Sequence, residues 1–186
     1  RSGKWFGFEN YDILPDLFTT AKGLSGGLPQ SALVGRRELM DIYAPNTMTS
    51  THSGSPVASA GTAANIKFLK EHNMCEEALR KGKIMEEKLK ALWKQFPERI
   101  SYVSGIGMAW AVTFAEADTH AIHPEFALEV TKKCNENGLT FFAAVGAGIT
   151  MKLTPPLTIP DDALIEGLEA YATAVAEADA IMPAYK

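Results

Sequence analysis

Two cysteines in 186 residues, Cys75 and Cys134, are too few and too far apart for a disulfide framework or a structural zinc site, and they read as reduced thiols. No run of about 18 apolar residues occurs, so no membrane span is expected. The opening RSGKWFGFENYD lacks the charged-then-apolar layout of a secretory leader, which makes the cytoplasm the expected compartment. Basic residues are not in excess. With 18 Lys and Arg against 22 Asp and Glu there is no cationic stripe to neutralise a phosphate backbone, which argues against nucleic acid as a partner. The histidines are few as well: His72, His120 and His123 lack ligand spacing and read as surface residues, so no metal is expected. What remains is ordinary globular material, 46% apolar and 22% charged, without repeats or low-complexity segments.

Arg1 is not a methionine and RSGKWFGFEN reads as interior, aromatic-rich sequence, so the expectation is a segment of a longer chain. The pattern predicts two short strands, in ILPDLFTTA (13–21) and SALVG (31–35), joined by the glycine-rich KGLSGGLPQ. A short helix over 36–43 and a polar loop over 44–55 follow. A helix then begins near Pro56 and stops at Asn73. Residues 76–96 form the clearest amphipathic helix: Leu79, Met85, Leu89, Leu92, Trp93 and Phe96 recur at helical spacing, while Lys and Glu fill the other face. Strands are expected at 100–104, 108–115, 139–143 and 149–153, with a helix over 124–137. A last helix runs to about residue 180, started by a capping-box pattern in Thr158-Ile-Pro-Asp161. Alternating strands and helices define an α/β or α+β architecture, with a domain boundary expected near residue 73.

One stretch carries chemistry. In TTAKGLSGGLP (19–29), Lys22 stands between an apolar strand and a double-glycine turn. A lysine amine attacks a carbonyl only when deprotonated, a state that burial or a neighbouring cation favours. Glycines beside it admit close backbone approach. Taken alone, the stretch reads more simply as a solvated loop lysine. Other features are weaker. Gly105-Ile-Gly107 is too short for a dinucleotide fingerprint and sits between two strands, which reads as a turn. Glu116 and Asp118 read as solvated loop carboxylates, and Trp5 and Phe6 as core packing.

The order of several blocks goes further. TTAKGLSGGLP resembles the Schiff-base lysine segment of class III aminotransferases, pyridoxal-phosphate enzymes of fold type I. RSGKWFGFENYDILPD resembles the family's segment leading to the lysine strand, and SALVGRRELMD the strand and helix after it. THSGSPVASA (51–60) resembles a T-x-G-G-N-P-x-A loop, and MKLTPPLTIPDDALIEGLEAY an R-x-x-P-P-L-x-I segment with the terminal helix. The resemblance implies an α/β fold of type I, with residues 1–72 as the C-terminal part of the large cofactor-binding domain and 73–186 as the small C-terminal α/β domain. It implies pyridoxal 5'-phosphate as cofactor, held by Lys22 as a Schiff base. Lys22 would then shuttle the proton between the substrate's α-carbon and the cofactor. Thr51 would reach the cofactor phosphate of a neighbouring subunit, which implies a homodimer with shared sites. Ser50 and Ser53 flank it as ordinary loop hydroxyls, and His52 reads either as a donor to phosphate or substrate or as a packing or stacking side chain.

Two departures qualify the transfer. Lys152 stands where the family carries an arginine that grips the substrate carboxylate in a planar two-pronged pair, so Lys152 is a candidate substrate contact that acts as a point charge. The family's aspartate at the pyridine nitrogen and its glycine-rich phosphate segment match nothing between Arg1 and Lys186. The implied activity is transfer of an amino group between an amine or amino acid and a 2-oxo acid. A racemase, epimerase or decarboxylating transaminase of the same family is the near alternative, and a non-catalytic fragment or interaction module the alternative of another class.

Overall fold

The computed structural model describes residues 1–48, 50–116, 124–142 and 149–183. The chain divides into two compact units, one of Lys4–Cys75 and one of Glu76–Lys186 joined by Arg1–Gly3.

In the first unit, strands β1 (Leu17–Thr20) and β2 (Ala32–Gly35) pair antiparallel, with Phe18 opposite Val34 and Thr20 opposite Ala32. Both lie where the apolar runs predict them. Backbone and side chain together close the open end of this hairpin: Arg36 donates its amide to the Asp16 carbonyl at 3.2 Å, and its Nε pairs with the Asp16 carboxylate at 3.2 Å. Under β1, Phe18 meets Phe6 at 4.7 Å and Phe8 at 5.3 Å between ring centroids, in tilted contacts that aromatic quadrupoles favour. Phe6 therefore packs as its sequence suggests. Trp5 stays 48% exposed. Helix α1 (Arg37–Met40) is a single turn, shorter than the expected 36–43. Helix α2 (Pro56–Glu71) starts on the proline, whose fixed φ and missing N–H suit a first turn. Asn73, at φ +48, ends it in the left-handed conformation that asparagine tolerates.

The second unit holds the main core. Helix α3 (Met74–Gln95) leads to an antiparallel sheet of β3 (Ile100–Ile106), β4 (Ala109–Phe114) and β5 (Thr150–Leu153), with β4 in the centre. Burial alternates along β4: Trp110, Val112 and Phe114 face inward, and Met151 and Leu153 of β5 join them. Helices α4 (Pro124–Glu136) and α5 (Asp161–Ile181) complete the core through Phe126, Val130, Cys134, Leu168, Tyr171 and Val175. The Gly105-Ile-Gly107 stretch closes the β3–β4 hairpin, and the Trp110 indole N–H donates to the Gly107 carbonyl at 2.8 Å.

Three expectations give way here. No strand forms over residues 139–142, and Ala143 lies outside the described residues. The Leu139 amide is taken by the Cys134 carbonyl at 2.8 Å, at the end of α4, which leaves it unavailable to a ladder. Leu79 is 42% exposed, whereas Lys81 is 6% exposed, reversing their expected faces on α3. The Lys81 ammonium is satisfied by the Leu157 and Ile159 carbonyls, at 3.0 and 2.6 Å, so its burial is compensated. The capping box at Thr158–Asp161 does not form. Pro160 occupies the N-cap without a side-chain cap, and the Asp161 carboxylate instead receives Arg80 in a two-pronged pair at 2.7 and 2.8 Å. Two charge-assisted bonds outweigh one capping bond.

Both cysteines are free, Cys134 buried and Cys75 half-buried. Burial pushes the Cys134 thiol up to about 12. Iodoacetamide at neutral pH should therefore leave Cys134 unmodified in the native protein and label it only after unfolding, as read by peptide mass. Labelling of native Cys134 at the rate of a small thiol would contradict this packing.

Candidate functional site

Strand β1 ends at Thr20, Ala21 remains extended, and the chain then turns sharply at Lys22. Lys22 adopts φ +52 and opens a short 3-10 turn, Lys22–Leu24, closed by the Leu24 amide donating to the Ala21 carbonyl at 3.1 Å. Four non-glycine residues among those described have positive φ: Asp12, Lys22, Asn46 and Asn73. Aspartate and asparagine tolerate that region by bonding to their own backbone, whereas a lysine gains nothing locally and carries the steric cost. Such strain concentrates at functional sites. The Lys22 side chain is exposed, and among the described residues no hydrogen bond or ion pair engages its Nζ.

The residues after Lys22 are held more tightly than the lysine itself. Ser25 is buried at 4% exposure and its hydroxyl donates to the Leu28 carbonyl. Gly26, at φ +66, lets the chain double back beside α2, where a Cβ would approach the Asn65 side-chain oxygen to 3.1 Å. Asn65 of α2 donates its Nδ2 to the Gly23 carbonyl at 2.8 Å and to the Leu24 carbonyl at 3.0 Å.

Thr51 lies in an exposed turn, Thr51–Gly54, that leads directly into the first turn of α2. Ser53 donates its amide to the Ser50 carbonyl at 3.0 Å, and Ser55 at the N-cap makes no side-chain cap. No acidic residue occupies that first turn, so the unpaired N–H groups and the positive end of the helix dipole face no competing carboxylate. Lys22 and Thr51 thus belong to one unit, and α2 serves both: its start receives the Thr51 turn and its middle holds the Lys22 turn. His52 is exposed beside Thr51. His72 is exposed at the end of α2, its ring 4.2 Å from that of Phe68, while His120 and His123 lie outside the described residues.

Lys152 belongs to the second unit. It lies on β5 opposite Ala111, exposed between buried Met151 and Leu153, so its ammonium points away from the core. It borders a cavity of about 350 Å³ whose walls include Met85, Leu139, Phe141, Pro155 and Leu164. Two lining residues are held through their carbonyls, Pro155 by Arg1 at 2.7 Å and Ile159 by Lys81 at 2.6 Å. Among the described residues its lining is mostly apolar, with Lys152 the one charged side chain in it.

The sequence named Lys22, Thr51 and Lys152 but passed over Asn65, an isolated amide on a helix face of Ala, Gly and Thr. Its spacing from Gly61 is the available signal: a polar residue one turn beyond a glycine marks a place where backbone approaches a helix.

The class-III aminotransferase family profile matches residues 1–175, and the chain belongs to that family. A probable 4-aminobutyrate aminotransferase of Bacillus subtilis is 34% identical over 169 residues, 90% of this chain and 38% of its own length. A leucine/methionine racemase of Thermococcus litoralis is 34% identical over 180 residues, 96% of this chain and 40% of its own length. The chain thus spans about two fifths of these relatives. Among solved structures, an S-selective transaminase from an Arthrobacter species superposes with a TM-score of 0.86 at 28% identity, covering 98% of this chain and 43% of the other. The mixed helix-and-strand architecture is that of the fold type I pyridoxal-phosphate transaminases.

Proposed function

We propose that this chain forms part of a pyridoxal-phosphate-dependent aminotransferase that moves an amino group between an amine or amino acid and a 2-oxo acid, and that Lys22 is its catalytic lysine. The observation that carries the reading is Lys22 itself, held in a left-handed turn at a strand end with its amine unengaged among the described residues, in a member of this family. The residues present suit a phosphorylated aldehyde: a free amine for the carbonyl, and for the phosphate the Thr51 hydroxyl beside a helix start free of acidic residues.

In this reading Lys22 attaches the cofactor through Nζ. As a free amine, Lys22 Nζ would take and return a proton at the substrate's α-carbon. When bound, pyridoxal phosphate supplies an electron sink for the carbanion that this proton transfer creates. Thr51 binds phosphate, by family analogy that of the neighbouring subunit of a cytoplasmic homodimer. Residues 1–72 correspond to the end of the large domain and 73–186 to the small one. Lys152 steers a substrate carboxylate as a point charge.

The experiment is an exchange reaction with a ¹⁵N-labelled amino donor and an unlabelled 2-oxo acid. Label appearing on the acceptor's carbon skeleton supports transamination. Label retained on the donor skeleton with inversion of its stereocentre would overturn it in favour of racemisation, a second reading motivated by the racemase that is 34% identical over 96% of the chain.

Lys152→Arg tests the steering role. A guanidinium can form two parallel bonds with a carboxylate, so KM for substrates bearing an α-carboxylate should fall about tenfold with little change in kcat. Equal effects on an amine lacking that carboxylate would contradict the assignment.

A further inference from the structure

We infer that Asn65 is a positioning residue for Lys22, a role that rests on the assignment of Lys22 as the cofactor-bearing lysine. Both N–H groups of its amide are spent on one short piece of backbone, Gly23 and Leu24, the two residues after Lys22, at 2.8 and 3.0 Å and across more than 40 residues of sequence. Neither carbonyl is free to shift while those bonds stand, so the turn that directs the Lys22 side chain is referenced to a rigid 16-residue helix. The seat has a second element one helical turn earlier. At Gly61 a Cβ would come within 2.4 Å of Leu28 Cδ1, so the bare helix surface there admits the Leu28 side chain, and the Ser25 hydroxyl holds the Leu28 carbonyl from within the turn. Asn65 thus fixes the front of the 22–28 segment and Gly61 receives its back.

The turn needs this. Lys22 at φ +52 pays a steric cost with no local compensation, and an unanchored loop would relax toward negative φ and swing Nζ away. A carboxylate at position 65 would face the same two carbonyls without a proton to give. Misplacement of a reacting group by about 1 Å lowers rates by about a hundredfold, and loss of two bonds of ordinary strength lies in the same direction.

The test compares wild type, Asn65→Asp and Asn65→Gln as purified protein, using pyridoxal phosphate itself as the probe. The readouts are the rate of appearance of the yellow chromophore, the fraction of Lys22 reduced onto the cofactor by borohydride, and deuterium exchange of the 22–28 peptide. We expect Asn65→Asp to attach the cofactor about tenfold more slowly, with faster exchange confined to that peptide and an unfolding midpoint only a few degrees lower. Asn65→Gln keeps an amide donor and should recover part of the rate, which a merely structural role would not predict. Wild-type-like attachment rates and exchange in Asn65→Asp would overturn the inference while leaving Lys22 in place. Failure of the wild type to attach the cofactor at Lys22 would instead remove the assignment on which the inference rests.

Discussion

Lys22→Ala is expected to abolish covalent attachment of pyridoxal phosphate and to lower transamination at least about a thousandfold, since the substitution removes both the nucleophile and the general base. The fold should be indifferent to it. Lys22 is exposed, and among the described residues no polar partner holds its Nζ, so no contact is lost. Alanine bears the same left-handed cost at φ +52 that lysine does, which leaves the turn's own energetics in place. The pair of measurements is steady-state activity with a matched donor and acceptor, and the thermal midpoint. Loss of activity at constant stability assigns the chemistry to the side chain. Retention of more than about a tenth of wild-type activity would be incompatible with the rate that general acid–base catalysis alone contributes.

Arg99→Ala has its large effect on stability instead. The side chain of Arg99 is 6% exposed and closes the C-terminal end of α5: Nε pairs with the Asp179 carboxylate at 2.7 Å, and the two terminal nitrogens donate to the Met182 and Pro183 carbonyls, each at 2.9 Å. Its guanidinium also lies 4.7 Å from the centre of the Phe126 ring. Truncation strands two carbonyls and a half-buried carboxylate, at a cost of about 3 kcal/mol. For a chain of this size that is a fall of roughly 6–12 °C in midpoint, read by calorimetry. Arg99→Lys should recover little, because one ammonium cannot span three acceptors in a plane. A midpoint within about 1 °C of wild type would show that these bonds are replaced by water without loss.

The sequence made the local elements legible wherever composition and period agreed. The strands around KGLSGGLPQ, the stop at Asn73, and Met85, Leu89 and Leu92 on α3 follow from turn chemistry and helical spacing, and the structure places them accordingly. Long-range partners were not legible. Lys81 reads as solvent-facing by its charge, yet two carbonyls 76 and 78 residues away compensate its burial. Asp161 reads as a capping residue until Arg80 claims it. The apolar run from Leu139 has the composition of a strand, but the end of α4 takes its first amide, and Leu139 and Phe141 pack as side chains against the core instead.

The site divides in the same way. Lys22 and Thr51 emerged from motif order, because each sits in a stretch whose neighbours constrain it. Asn65 did not, since its significance lies in two backbone carbonyls about 40 positions earlier. Periodicity registers which face of a helix is apolar, and it carries no information about an amide that reaches across to a loop.

The most direct test of the central claim is peptide mapping after borohydride reduction of the purified protein incubated with pyridoxal phosphate. The account predicts a yellow protein whose reduced adduct maps to the peptide containing Lys22 and is displaced beforehand by an amino donor. A colourless protein, or an adduct scattered over surface lysines with Lys22 unmodified, would contradict it.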